Sequence, residues 1–257
     1  MGSGQGTLVT SSPGSDDRTV TPGTFLAVTT VSRVLALIPA YDEASRIGPV
    51  IVATARQVPV LVVDDGSTDG TATEAEAAGA AVIRQRPNQG KGAALRAGFR
   101  NAIAGDYQAV LTLDADGQHD PAEIPSFMGA WSSGAPVPDL VIGRRDFGAM
   151  PFVRRLSNQL GGLAFAWAVG RDIPDNQSGY RLVSRRLMEA TLASDEAGFE
   201  FEVEMIVTCI RAGWEIAWVP IRTIYAGEPS HIQPWRHFTS FLGMVIKARR
   251  TVRLPLS

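Results

Sequence analysis

Short apolar runs separated by helical patterns organise the first half of the chain. The apolar runs predict five strands, at residues 34–38, 60–63, 80–83, 109–113 and 139–142, of which the first, second and fourth are predicted to be buried. Helical spacing of apolar residues predicts helices between them, at 45–57, at 90–104 and from Pro121 onward. Strands that are apolar on both faces and alternate with helices are typical of a mostly parallel sheet covered by helices. The predicted fold class is therefore α/β.

The second half of the chain has a less regular pattern. It predicts a helix at 152–169, a polar loop at 172–181 and a strand at 214–219 that is closed by Pro220. Residues 199–205 alternate like a strand, yet they continue into a helical pattern that reaches Ala212. The two periods place the carboxylates differently. Glu200 and Glu204 share a helix face without Glu202, whereas all three share one face of a strand.

The C-terminal residues predict an amphipathic helix with a basic face. Its apolar positions are Phe238, Phe241, Leu242, Val245, Ile246 and Val252, and its cations are Lys247, Arg249, Arg250 and Arg253. Such a helix can lie on an anionic membrane surface, or it can pack on the domain with its cations in solvent. The predicted organisation is a flexible leader rich in Gly, Ser and Thr at 1–32, an α/β domain at 33–233 and this basic helix at 234–257.

Composition excludes several classes of protein. The net charge of −2 gives no basic signature of nucleic-acid binding. The N-terminus lacks the basic and apolar regions of a signal peptide, and no apolar run approaches the roughly 20 residues that span a bilayer. Cys209 is the only cysteine, which excludes an intrachain disulfide and indicates a reducing compartment. We therefore expect a cytoplasmic protein, with peripheral contact through the C-terminal helix as its one route to the membrane.

Polar clusters follow four of the predicted strands, at residues 41–43, 64–65, 114–116 and 144–145. The carboxyl ends of parallel strands meet at one edge of a sheet, which is where open α/β folds bind ligands. Asp114 and Asp116, one residue apart and followed by Gly117, can converge on one hard cation. Mg²⁺ and Mn²⁺ take such oxygen ligands and often sit between carboxylates and substrate phosphates.

Five motifs in a fixed order resemble the inverting glycosyltransferases of family 2, which have the GT-A fold. The motifs are Pro39-Ala-Tyr-Asp-Glu43, Val63-Asp-Asp-Gly-Ser-Thr-Asp-Gly-Thr71, Asn88-Gln-Gly-Lys-Gly92, Leu113-Asp-Ala-Asp-Gly-Gln118 and Asp175-Asn-Gln-Ser-Gly-Tyr-Arg181. The resemblance extends from about Val34 to about Phe241. Within the family the chain is most similar to dolichol- or polyprenyl-phosphate hexose synthases of a bacterial subgroup.

The resemblance implies roles for individual residues. The nucleotide-sugar site would comprise Pro39, Tyr41, Glu43, Asp65, Lys91, Asp114, Ala115 and Asp116. The metal would be held by Asp114 and Asp116, with Gln118 and His231 as further ligand candidates. The acceptor phosphate would be met by Arg144, Arg145, Gln177 and Arg181. The catalytic set would be Asp116, Arg144, Arg181, Glu202 and Glu204.

The implied reaction moves a hexose from UDP-glucose or GDP-mannose to a polyprenyl or dolichyl phosphate, with Mg²⁺ or Mn²⁺ at the leaving diphosphate. A phosphate acceptor is largely dianionic at neutral pH, so it needs positioned cations rather than a base. Two alternatives stay open. A hydroxyl acceptor on a sugar, glycerol or cell-envelope lipid would need a general base, for which Glu202, Glu204 and Asp120 are candidates. A catalytically silent nucleotide-binding relative is the other, because fold does not fix function.

Overall fold

The computed structural model describes residues 33–145, 152–222, 243 and 245–252, with residues 152–160 described by their backbone. Its centre is a seven-stranded sheet. The strands are β1 (Val34–Ala40), β2 (Val60–Asp64), β3 (Ala81–Arg84), β4 (Ala109–Thr112), β5 (Leu140–Arg145), β6 (Arg181–Ser184) and β7 (Ile216–Ile221). They lie in the order β3-β2-β1-β4-β6-β5-β7. Only β6 runs antiparallel to its neighbours, so the predicted mostly parallel α/β sheet is confirmed.

Helices cover both faces of this sheet. They are α1 (Ala44–Ala55), α2 (Thr71–Ala77), α3 (Lys91–Ala104), α4 (Ile124–Ser133), α5 (Phe152–Val169), α6 (Arg185–Thr191) and α7 (Glu200–Ala212). Residues 245–252 are also helical, and we call them the C-terminal helical segment. Alternate residues of β1 enter two separate apolar cores, Leu35 and Leu37 on one face and Ala36 and Ile38 on the other. This double burial explains why the strands read as continuous apolar runs.

The first core is closed by α3, α5, α6, α7 and the C-terminal helical segment, and the second by α1, α2 and α4. Val245 and Ala248 of the C-terminal helical segment are buried in the first core, whereas Lys247 and Arg250 are exposed. Among the described residues, no helix has the length and apolar character needed to cross a bilayer. The predicted leader at 1–32 and the helix positions Phe238, Phe241, Leu242 and Arg253 lie outside the described residues.

Four elements were left open by the sequence pattern or differ from it. Residues 200–212 form helix α7, so the strand-like alternation at 199–205 is not a strand. Strand β6 and helix α6 had no counterpart among the predicted elements. Pro220 lies inside β7 and does not close it. Since β7 is an edge strand of the sheet, the missing N–H of a proline can be accommodated there.

Candidate active site

The loops that follow β1 and β2 are held together by short polar side chains. The backbone N–H of Asp42 donates to Ser67 Oγ at 2.9 Å, and that of Glu43 donates to Thr71 Oγ1 at 2.8 Å. Asp42 has a positive φ of 53°, which Asp tolerates better than most residues. Tyr41, beside it, is half exposed. The predicted nucleotide-binding residues 41–43 are therefore held in a fixed position at the carboxyl ends of the strands.

Asp65 connects the end of β2 to the start of α3. Its side chain is buried, and its two oxygens accept backbone N–H groups of Gln89 at 2.8 Å and Gly90 at 2.7 Å. Gly90 has φ +92°, a conformation that glycine adopts without steric cost. These bonds fix the backbone immediately before Lys91.

The Lys91 ammonium lies between two carboxylates that come from different elements. Its Nζ is 2.6 Å from Asp114 Oδ1, just beyond β4, and 3.3 Å from Glu202 Oε1 on α7. The ring of Phe199 covers it, with the centroid 5.2 Å from Nζ. Burial lowers the pKa of Lys91, but the two carboxylates outweigh this effect and raise the pKa above its usual value. Lys91 therefore keeps its charge throughout the neutral range.

Asp114 is ionised for the complementary reason. Burial raises its pKa, but the Lys91 charge and hydrogen bond dominate and hold the pKa at about 2. The backbone N–H of Asp114 donates to Nδ1 of His119 at 3.0 Å, and the buried His119 ring stacks on Tyr180 with centroids 4.9 Å apart. His119 was not among the predicted site residues. It follows Asp116 by only three positions, but a sequence pattern does not reveal its burial or its bond to Asp114.

Asp116 differs from Asp114 in its surroundings. Like Asp114 it is partly exposed, but its Oδ1 accepts the backbone N–H of Gln118 at 2.9 Å across the turn at Gly117. Within the described residues, no three His, Cys, Asp or Glu side chains converge as a complete metal cage. Mg²⁺ sites often use one or two carboxylates and complete the shell with water and substrate phosphates. The partly exposed Asp116 and the exposed Gln118 beside it fit a Mg²⁺ ion that is held by few protein ligands.

The loop at 175–180 packs against the ion pair of Lys91 and Asp114. Its position is fixed by Thr112 Oγ1, which donates to the carbonyl of Gly179 at 2.7 Å. A Cβ atom on Gly179 would lie 2.9 Å from both Asp114 Oδ2 and Lys91 Nζ. A glycine is therefore required for this close approach.

The predicted acceptor residues fall into three different environments. Arg145 makes a bidentate ion pair with the buried Asp175, at 2.7 and 2.9 Å. Arg144 and Gln177 are exposed at the same edge. Arg181 is fully buried, and its guanidinium donates to the carbonyls of Ser178 at 2.7 Å, Asn176 at 3.1 Å and Glu202. In this arrangement Arg181 joins the loop at 175–180 to α7 by hydrogen bonds. Its direct role toward an acceptor stays a prediction.

Helix α7 separates the two predicted catalytic glutamates. Glu202 is buried beside Lys91, whereas Glu204 accepts a hydrogen bond from Ser194 Oγ and lines a separate groove of about 240 Å³ with Lys247. Asp120, the third base candidate, accepts the N–H of Ala122 and caps a 3-10 turn. The structure therefore brings Glu202, but not Glu204, to the Asp114 cluster.

The remaining predicted residues are placed as follows. Pro39 lies within β1, paired with Val63 of β2, and Ala115 is buried between the two aspartates. Glu43 makes an ion pair with Arg46 at 2.7 Å. His231, the fourth metal-ligand candidate, lies outside the described residues.

Residues 36–192 match the model of glycosyl transferase family 2. The chain is 39% identical over 207 residues to the glycosyltransferase AglJ of Haloferax volcanii, covering 78% of this chain and 65% of AglJ. It is 32% identical to a polyprenol monophosphomannose synthase of Mycolicibacterium smegmatis, covering 81% of this chain and 80% of that protein. It is 33% identical to an undecaprenyl-phosphate mannosyltransferase of Micrococcus luteus, covering 74% and 82%.

Solved structures show the same fold. Glucosyl-3-phosphoglycerate synthase of Mycobacterium tuberculosis, solved with Mn²⁺, UDP and phosphoglyceric acid, superposes with a TM-score of 0.67 at 23% identity. The match covers 88% of this chain and 81% of that one. The sheet and its polar carboxyl edge define a glycosyltransferase domain of the GT-A type. The chain belongs to glycosyltransferase family 2, and it is a transferase enzyme.

Proposed function

We propose that this enzyme transfers a hexose from a nucleotide sugar, UDP-glucose or GDP-mannose, to a polyprenyl phosphate, with inversion at the anomeric carbon. The observation that carries the proposal is the pair Arg144 and Arg145 at the end of β5. Arg145 is anchored by Asp175 and Arg144 is exposed, at the sheet edge that also carries Asp114 and Asp116. A guanidinium pair in this place suits a phosphate acceptor. The names of two relatives, which specify polyprenol and undecaprenyl-phosphate products or acceptors, support the same chemistry.

The reaction breaks the bond between the anomeric carbon and the diphosphate oxygen, and an oxygen of the acceptor phosphate forms the new bond from the opposite face. The nucleoside diphosphate leaves with the electron pair of the broken bond. A Mg²⁺ or Mn²⁺ ion, when bound, would neutralise charge on that diphosphate. Asp116 would hold the ion, with Gln118 beside it. The Mn²⁺ and Mg²⁺ complexes solved for the glucosyl-3-phosphoglycerate synthase support a divalent ion beside the diphosphate, and the choice of Asp116 is made from its place in this structure.

The acceptor needs no general base in this proposal. The second pKa of a phosphate monoester is about 6, so its attacking oxygen is already ionised at neutral pH. The surroundings of the three base candidates agree with this. Glu202 is engaged by Lys91, Glu204 faces another groove and Asp120 caps a turn. What the acceptor requires is orientation, which Arg144 and Arg145 can provide.

A product assay tests the proposal. Radiolabelled UDP-glucose and GDP-mannose, each with Mn²⁺ or Mg²⁺, are incubated with the enzyme and undecaprenyl phosphate. We expect one donor to give a labelled product that partitions into organic solvent and that mild acid releases as free sugar. Label that reaches only water-soluble products, with phosphoglycerate or sugar acceptors, would contradict the lipid-phosphate acceptor.

A mixed apolar and basic surface supports contact with the membrane. Leu163 and Trp167, one turn apart on α5, are 68% and 65% exposed, and Ile246 of the C-terminal helical segment is 45% exposed. The Arg249 guanidinium stacks on the Trp167 ring at 3.5 Å and joins the two helices. We call Leu163, Trp167, Ile246, Arg249 and Arg250 the lipid-facing patch. Exposed apolar side chains beside cations suit an anionic bilayer surface.

Vesicle binding tests this patch. We expect the wild-type enzyme to bind vesicles that contain phosphatidylglycerol, and less so at high salt, since ionic strength screens its cations. Replacing Leu163 and Trp167 by serine should weaken binding about tenfold, because two apolar side chains no longer enter the lipid. A control variant carries serine at Val137, an exposed apolar residue before β5. Equal binding by all three proteins in a flotation assay would exclude the patch as the contact surface.

A further inference from the structure

Lysine is rare in this chain. The sequence has 22 arginines and only two lysines, Lys91 and Lys247. Lys247 is largely exposed, whereas Lys91 lies at the centre of the site. An ammonium is a compact, nearly spherical donor, whereas a guanidinium is a planar fork that needs more room. The space between Asp114 and Glu202, closed by Gly179, suits the compact cation.

The backbone that carries Lys91 is clamped on both sides. Gly90 donates its N–H to Asp65, and Gly92 donates its N–H to the carbonyl of Ala197 at 2.7 Å. A Cβ atom at Gly92 would lie 2.5 Å from the carbonyl oxygen of Glu196, so the two segments touch directly. The Lys91 side chain thus starts from a fixed point. Its ammonium position is set by the fold and not only by attraction to the carboxylates.

Asp114 and Asp116 consequently differ in their access to a partner cation. Asp114 already has a cation at 2.6 Å and a neighbouring His119 Nε2 at 3.8 Å from its other oxygen. Asp116 makes no ion pair within the described part of the chain, and its Oδ1 accepts the backbone N–H of Gln118, although both aspartates are partly exposed. A divalent ion that entered without nucleotide would have to compete with the Lys91 ammonium for Asp114 and Glu202.

We propose that Lys91 is a resident counter-ion that keeps divalent metal away from Asp114 and Glu202, so that metal binds through Asp116 and only together with the nucleoside diphosphate. This inference rests on the proposed function, since it concerns the same metal and nucleotide. Lys91 thereby acts as a positioning residue. It holds the carboxylates of β4 and α7 in place without a metal, and it leaves the diphosphate to complete the metal shell.

The test compares Mn²⁺ binding with and without nucleotide, followed by the free-Mn²⁺ signal in electron paramagnetic resonance. Lys91→Met leaves two facing carboxylates with no cation between them, and we expect its affinity for Mn²⁺ alone to rise at least tenfold over wild type. Lys247→Met removes the only other lysine charge, away from the site, and is the matched control. UDP and GDP at saturating concentration should raise the Mn²⁺ affinity of the wild-type enzyme.

The outcomes separate the two hypotheses. The inference would be overturned if Lys91→Met bound Mn²⁺ no more tightly than Lys247→Met does. It would also be overturned if the wild-type enzyme bound UDP or GDP and yet bound Mn²⁺ equally well with and without them. If neither nucleotide binds to the wild type, the proposed function fails. A gain of Mn²⁺ affinity in Lys91→Met would then still support the counter-ion role. If Lys91→Met does not fold, Lys91→Met combined with Glu202→Gln removes one of the two uncompensated charges. The inference then predicts that this double variant binds Mn²⁺ more tightly than Glu202→Gln alone.

Discussion

Asp116→Asn is expected to lower the rate of sugar transfer about 10³-fold, which corresponds to about 4 kcal/mol of transition-state stabilisation. Asparagine preserves the shape of the side chain and its acceptor oxygen for the Gln118 N–H. It removes the negative charge that would hold the metal at the leaving diphosphate, where charge develops in the reaction. Initial rates with saturating donor and Mn²⁺, measured over a range of metal concentration, give the size of the loss.

Asp106→Asn is the matched control for this substitution. Asp106 lies before β4, at the opposite edge of the sheet from Asp116, and its side chain is 82% exposed. Its φ of 58° is a left-handed conformation that asparagine also tolerates. We expect less than a twofold change in rate. An Asp116→Asn enzyme that keeps more than a tenth of wild-type activity at every metal concentration would rule out Asp116 as the principal metal ligand.

Arg181→Leu is expected to lower the free energy of unfolding by about 4 kcal/mol and the melting temperature by about 10 °C. The substitution leaves the carbonyls of Asn176, Ser178 and Glu202 without their donor in a buried place, and each unsatisfied group is costly. Urea denaturation followed by circular dichroism measures the effect.

Arg144→Leu provides the contrast, since Arg144 was assigned to the same acceptor role but is exposed. Its stability should change by less than about 0.5 kcal/mol, as for other surface substitutions. Its KM for polyprenyl phosphate should rise. If Arg181→Leu proves as stable as wild type and loses only acceptor affinity, then Arg181 is a phosphate ligand and not a staple of the loop.

The pattern of apolar runs predicted the first half of the fold because most of its strands, β1, β2, β4 and the first four residues of β5, are buried on both faces. It left 199–205 undecided between strand and helix, because Phe201, Val203 and Met205 alternate with glutamates although all three are buried in helix α7. A helix enclosed by other elements can bury more than one stripe, and its sequence then matches a strand over a short window. Strand β6 was missed because it has only four residues and begins with Arg181, whose burial depends on carbonyls from two other segments.

The sequence predicted those residues of the candidate site that lie at the carboxyl ends of strands. Asp65, Asp114 and Asp116 follow strands and Arg145 is the last residue of β5, and the sheet brings these strand ends to one edge. Sequence reasoning could not assign their partners. The contact between Lys91 and Glu202 joins residues that are far apart along the chain, and the pairing of Arg145 with Asp175 depends on how the loop folds back.

The strand order also bears on how acceptor preference can be inherited. Strands β3, β2, β1 and β4 are contiguous in the chain, and within the sheet β6, β5 and β7 join them through the antiparallel ladder of β4 and β6. A recombination point between α4 and β5 would therefore exchange the second block and leave the pairing of the first intact. The incoming block would have to bring a carboxylate for Lys91 and a close-packed carbonyl for Gly92, as Glu202 and Ala197 do here. These two contacts at the site are therefore a condition that an exchanged block must meet in addition to pairing with β4.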